Sequence, residues 1–209
     1  MQRIPWLGRF AALLAFFFAA LPAGATTVRP MSIVDLVDYS ETIVAGRVES
    51  VTDGFAPNGM PYTEVTLRVI DRFRGAKGET FTFRQFGLTA PRTMPNGMVY
   101  LGGRPEGWPT FRTGEVSLLF LYPKARVTGF QTTVGLGYGK LGLGNGVALN
   151  AYDNATLFKN TGLDVKKLSS DEQRMFAAAS GPVNATTLRK FLKRIASERP
   201  APGSSRANP

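Results

Sequence analysis

The stretch Tyr62–Phe73, YTEVTLRVIDRF, decides the fold. Val65, Leu67, Val69 and Phe73 alternate with Glu64, Thr66, Arg68 and Arg72. Side chains of a strand point alternately to its two faces, so this spacing predicts a strand with one buried and one wet face. Gly75 and Gly78 mark a turn into Glu79–Phe86, where Phe81 and Phe83 point one way and Thr82 and Arg84 the other. The two runs read as an antiparallel hairpin.

On the N-terminal side, Thr42–Val51 (TIVAGRVESV) reads as a strand, with Gly46 as a weak point or a bulge. The segment Asp53–Pro61 reads as a loop, marked by Pro57, Asn58-Gly59 and Pro61. A short helix precedes them: Ser32 and Asp35 fit a capping box, Met31 and Leu36 a hydrophobic staple, and Ile33, Leu36 and Val37 an apolar stripe.

On the C-terminal side a long Gly/Pro-rich loop spans Gly87–Gly114. Glu115–Tyr122 (EVSLLFLY) is apolar on both faces, as a central strand of a covered sheet would be. Further strands are expected at Arg126–Thr132, Thr133–Leu143 and Val147–Ala151. Ser170 with Gln173 fits a second capping box, on a helix ending at Gly181-Pro182. The last helix starts at Asn184, stapled by Val183 and Leu188. It buries Leu188, Phe191, Leu192 and Ile195 and turns Lys190, Lys193, Arg194 and Arg199 to water. Short strands without β-α-β alternation predict a mainly β protein: a partly open antiparallel β-barrel with a short N-terminal helix and two C-terminal helices. It is one domain over 26–199, with a disordered tail over 200–209.

The first residues carry Arg3 and Arg9 and no acid, then an apolar run from Phe10 to Leu21, Pro22 and the triplet Ala23-Gly24-Ala25. These are the parts of a secretory signal peptide, residues 1–25, cleaved after Ala25. The run is too short for a membrane span, which needs about 20 apolar residues. Export places the chain in the periplasm or outside the cell. The absence of cysteine excludes disulfides and a lipid-bearing cysteine at the cleavage site. No later stretch is long and apolar enough to span a bilayer.

The formal charge of +10 favours anionic envelope polymers, lipid headgroups or acidic proteins as contacts. Export makes nucleic acid a poor partner. Without histidine or cysteine, common zinc and copper sites and Ser-His or Cys-His catalysis are unavailable. The acids Asp35, Glu49, Glu64, Asp71, Asp171 and Glu172 sit singly on wet faces or helix starts. No S-x-x-K stands at a helix start, and Asp153-Asn154 is too thin for calcium. A non-enzyme without cofactor is expected.

Two segments invite a ligand. Val134–Gly146 (VGLGYGKLGLGNG) lacks phosphate-loop spacing. Glycines 135, 137 and 139 describe instead a strand with one bare face against which something packs closely; Tyr138 and Lys140 are its candidates if that is a ligand. The long loop carries Arg92, Arg104, Trp108, Phe111 and Arg112. Tryptophan and arginine are frequent interface anchors; alternatively Trp108 and Phe111 fold back as a plug. Sequons occur at Asn154 and Asn184, the latter better placed as a helix cap.

The runs MSIVDLVDYSETIVAGRVESV and YTEVTLRVIDRFRGAKGETFTFRQFG, with GEVSLLFLYP and VGLGYGKLGL, resemble a widespread group of secreted bacterial proteins of unknown function. Members typically carry glutamine where Tyr138 stands. The resemblance covers most of Met31–Leu143 and implies no activity. The strand order resembles the OB-like barrel of metalloproteinase inhibitors and netrin-like modules. Those inhibitors chelate metal with an N-terminal cysteine, and Thr26 would begin this mature chain, so that mechanism does not carry over. The expectation is a binding module for a protein or anionic envelope polymer, with a carboxylate-dependent glycan hydrolase or a structural part of an envelope assembly as alternatives.

Overall fold

The computed structural model describes residues 29–202 apart from Pro95 and Gly102. The expected leader lies outside the described residues, as do the last seven residues of the expected tail. The chain opens with helix α1 (Ile33–Tyr39). Ser32 Oγ accepts the Asp35 N–H while Asp35 accepts the Ser32 N–H, the reciprocal cap that the sequence predicts. Such a cap contributes about 1 kcal/mol by satisfying donors that have no partner within the helix.

Seven strands form one antiparallel sheet: β1 (Thr42–Phe55), β2 (Pro61–Arg74), β3 (Thr80–Phe86), β6 (Val116–Leu121), β7 (Lys140–Gly144), β8 (Val147–Asn150) and β9 (Val183–Asn184). Their order is β3-β2-β1-β6-β7-β8-β9, and the ladder does not close. A separate small hairpin, β4 (Arg92–Thr93) with β5 (Val99–Tyr100), stands inside the long loop. Two helices, α2 (Ser170–Ala177) and α3 (Ala185–Glu198), and two 3-10 turns, Leu136–Gly139 and Val165–Lys167, complete the described elements. The protein is mainly β, as its alternation predicts.

The sheet carries a core on each face. Ile33, Leu36, Ile43, Phe120, Leu141 and Phe191 belong to a cluster joining it to α1 and α3. Val44, Val65, Leu67, Phe83, Leu119 and Phe111 form a second cluster on the opposite face. β6 sends Leu118 and Phe120 to the first and Leu119 and Leu121 to the second, which is why EVSLLFLY is apolar throughout.

The alternation in β2 is interrupted. Gly46 stands opposite Val69 but Ala45 opposite Asp71; Val44 stands opposite Arg72 but Ile43 opposite Arg74. Ile70 and Phe73 are therefore extra residues, and each bulge reverses the facing of the residues after it. Val65, Leu67 and Val69 pack with the second cluster as expected, whereas Phe73 packs against the first. The same reversal turns Arg74 toward the helices. Its guanidinium donates to Val37 O (2.6 Å) and Ser40 O (2.9 Å) at the end of α1, and to Ala196 O (3.1 Å) and Arg199 O (2.6 Å) at the end of α3.

Four other expectations are corrected. Arg126–Thr132 is not a strand, because the chain folds on itself with Ala125 N–H on Phe130 O and Gly129 at φ +69°. Thr133–Leu143 is a strand only from Lys140; Leu136–Gly139 is a 3-10 turn entered through Gly135 at φ +60°. The second capping box is Ser169 with Glu172, one residue earlier than expected, since Gln173 spends its amide on Leu168 O. That helix ends at Ala177, before Gly181-Pro182. In α3 the expected buried face and Asn184 cap are present.

Candidate functional site

The glycines of the 3-10 turn have packing partners, though not those of a strand. A Cβ at Gly139 would meet the backbone of Val134 and Phe120; one at Gly137 would stand 3.0 Å from Ala151 Cβ and 3.1 Å from the Tyr152 ring. The turn thus brings residues 136–137 against Tyr152. Tyr152 stacks on Tyr138, with ring centroids 4.2 Å apart.

Next to this turn, β6, β7 and β8 present a thinly covered face. Ser117 stands opposite Gly142, and Gly142 opposite Leu149. Neither Ser117 nor Gly142 carries a bulky side chain, and the segment Pro105–Thr110 helps enclose the space above them. The result is an open groove of about 1400 Å³, with Trp108 and Tyr152 as its aromatic lining and Arg47 also along it. A smaller space of about 310 Å³ is lined by Met60, Phe86, Tyr122 and Phe130 and also by Trp108. The half-buried Trp108 is shared by both.

Charge in the groove is largely internal. Lys140 Nζ lies 2.6 Å from Glu115 Oε1, donates to Thr110 O at 2.5 Å and stands 4.6 Å over the Phe111 ring. Phe111 is buried edge-on against Phe83, at 5.5 Å, as part of the second core cluster. Arg47 donates to Gly114 O at 2.8 Å. Glu106 completes the charged lining. The Ser117 hydroxyl is buried and has no hydrogen-bond partner among the described residues.

Of the residues singled out from sequence, Trp108 and Lys140 line the groove. Tyr138 and Phe111 are buried and act through contacts, Tyr138 under Tyr152 and Phe111 under Lys140. Arg92 lies over the Phe55 ring at 5.9 Å, Arg104 packs beside Gly87, and Arg112 is exposed; none of the three lines the groove. The arginines therefore do not converge with Trp108. Sequence reasoning missed Glu115, Ser117 and Tyr152. Ser117 left a faint signal as the one polar side chain within VSLLFL.

No group of three or more His, Cys, Asp or Glu able to hold a metal occurs among the described residues. Asn154 is buried, with its amide on Ala148 O and Gly181 O and its carbonyl on Asn150 N–H, so the folded chain hides that sequon. Asn184 caps α3 through the Thr187 N–H at 2.9 Å. No helix among the described residues is long and apolar enough to cross a membrane. Compared with known protein families, curated proteins and solved structures, the chain matches none.

Proposed function

We propose that this chain is an exported, non-catalytic binding module that holds an uncharged stretch of a partner protein in the groove beside Trp108. Trp108 carries the proposal: a half-buried indole borders two adjoining spaces, one of them large and floored by Ser117 and Gly142. Tryptophan in that position supplies apolar contact area at low entropic cost. An anionic polymer is the poorer occupant here, because Glu115 already neutralises Lys140 and the loop arginines lie elsewhere. The bulged β3-β2-β1-β6 portion, with Gln131 N–H reaching Arg84 O of the edge strand at 2.8 Å, fits the partly open OB-like barrel of the secreted bacterial group.

One observation favours the hydrolase as a second reading: Glu106 and Glu115 line the same groove. Against it, Glu115 is committed to the Lys140 ammonium, and glycoside cleavage needs one carboxyl as acid and another as base or nucleophile.

The test is capture from envelope and secreted fractions with tagged Thr26–Pro209, repeated with Trp108→Ala and at high salt. Trp108 is the only tryptophan after Trp6, so its emission in this chain reads groove occupancy directly. Capture lost in Trp108→Ala but kept at high salt, with a shift in emission, supports the module. Capture indifferent to Trp108→Ala overturns it. Glycan hydrolysis lost in both Glu106→Gln and Glu115→Gln would install the enzyme in its place.

A further inference from the structure

Apolar side chains stand out on two loops near the β1–β2 turn, away from both core clusters. On the β4–β5 hairpin Met98 is 65 % exposed and Val99 54 %, with Leu101 just beyond at 76 %; on the turn 123–130 Val127 is 92 % exposed. Both tips flank the β1–β2 turn. The hairpin leans on Phe55 through Tyr100, with rings 5.6 Å apart, while the other turn borders Met60 and Phe86 in the smaller space. Neither tip is covered by any described part of the chain.

The cationic groups beside these tips are not ion-paired among the described residues, unlike those of α3, although the Glu41 carboxylate accepts the Lys124 backbone N–H at 3.2 Å. On α3, Arg189 and Lys193 reach Asp71 at 3.2 and 3.7 Å and Arg194 reaches Glu172 at 2.8 Å; just past it, Arg199 reaches Asp38 at 2.5 Å. Arg92, Arg104, Lys124 and Arg126, by contrast, form no ion pair with a carboxylate among the described residues. Sequence alone points to the last helix as the basic surface; the fold neutralises most of it.

Exposed aliphatic tips ringed by such cations fit a surface that is apolar a few ångströms down and negative on top. We propose that these two loops dock on an anionic phospholipid bilayer, seating Met98, Leu101 and Val127 among the headgroups with Arg92, Arg104, Lys124 and Arg126 against the lipid phosphates. The geometry is that of a peripheral contact: the tips are short, and no segment inserts across the membrane. The groove keeps its own ligand, since its Ser117–Gly142 floor is on the sheet rather than on these tips.

The experiment is co-sedimentation of Thr26–Pro209 with phosphatidylglycerol/phosphatidylcholine vesicles and with phosphatidylcholine vesicles. All described elements lie within this span, and the apolar leader would add membrane affinity of its own. Binding to the anionic vesicles alone is expected. The pair Leu101→Asp/Val127→Asp should weaken it at least about tenfold, because each side chain forfeits apolar burial. Lys124→Glu/Arg126→Glu should weaken it similarly. Both pairs alter exposed residues, so unchanged melting temperatures are expected. The proposal fails if anionic vesicles are not bound, or if binding survives Leu101→Asp/Val127→Asp and is merely salt-sensitive. It also fails if the tips instead mediate self-association, seen as a dimer that the same pair dissolves.

Discussion

Lys140 Nζ and Glu115 Oε1 stand 2.6 Å apart, and the same ammonium donates to Thr110 O. One side chain thus ties β7 to the start of β6 and to the loop that carries Trp108. Lys140→Met removes both bonds and leaves Glu115 partly enclosed without its partner. A loss of about 2 kcal/mol is expected, since removing one member of a sheltered charged pair costs more than the pair is worth. Hydrogen exchange should quicken across residues 105–114 while the sheet stays protected. Unchanged exchange in that loop would refute the tether.

Arg74 is the equivalent tie on the helical side. It fills orphan carbonyls at two helix ends, where a cation is favourable. Burial lowers its pKa from the ordinary arginine value, with Asp38 acting the other way. Arg74→Lys keeps the charge but not the fork, so it should still cost about 2 kcal/mol and fray the last turn of α3. Urea melts and exchange at Ala196–Arg199 read this directly. Equal stability of the two proteins would contradict it.

Glu172 makes stability depend on acidity. Burial pushes its pKa up, but hydrogen bonds from Arg194 and from the Ser169 N–H and hydroxyl outweigh this and hold it below the usual glutamate range. A carboxylate depressed in the folded state contributes stability above its unfolded pKa and loses it as pH falls through the folded one. Glu172→Gln should therefore cost about 1 kcal/mol at pH 7. The difference should shrink steadily once pH drops below the ordinary glutamate pKa, about 4.3. Paired denaturant melts across that range test the sign.

Gly139 and Gly144 should respond oppositely to alanine. Gly139 has backbone of Val134 and Phe120 where a Cβ would go, so Gly139→Ala is expected to cost about 2 kcal/mol or more. Gly144 has nothing within 4 Å of that position, and Gly144→Ala should be neutral or mildly stabilising. Thermal melting of the two variants separates tight packing from a strand that merely tolerates glycine.

Trp108→Ala should leave stability within about 1 kcal/mol, because the indole is only half-buried and stands outside both core clusters. Ligand capture should fall sharply in the same protein. A large drop in melting temperature would make Trp108 a plug.

Local physics made much of this chain legible before folding. Ser32-x-x-Asp35 caps α1, Asn184 caps α3, and Val65/Leu67 face one way because adjacent strand residues must face apart. These features depend on neighbours within a few positions. The features that long-range packing decided are different in kind. The bulges at Ile70 and Phe73 exist only in the pairing of β2 with β1, and they turn Phe73 and Arg74 to the helices. Glycines 135, 137 and 139 look like a bare strand face until Met31, Tyr152 and the backbone of Val134 and Phe120 close on them in turn. The groove joins Trp108 and Ser117 to Tyr152, which lies much further along the chain. Charge obeys the same division: the sequence determined how many cations there are, while tertiary contacts decided which are neutralised, because an ion pair needs its partner within about 4 Å.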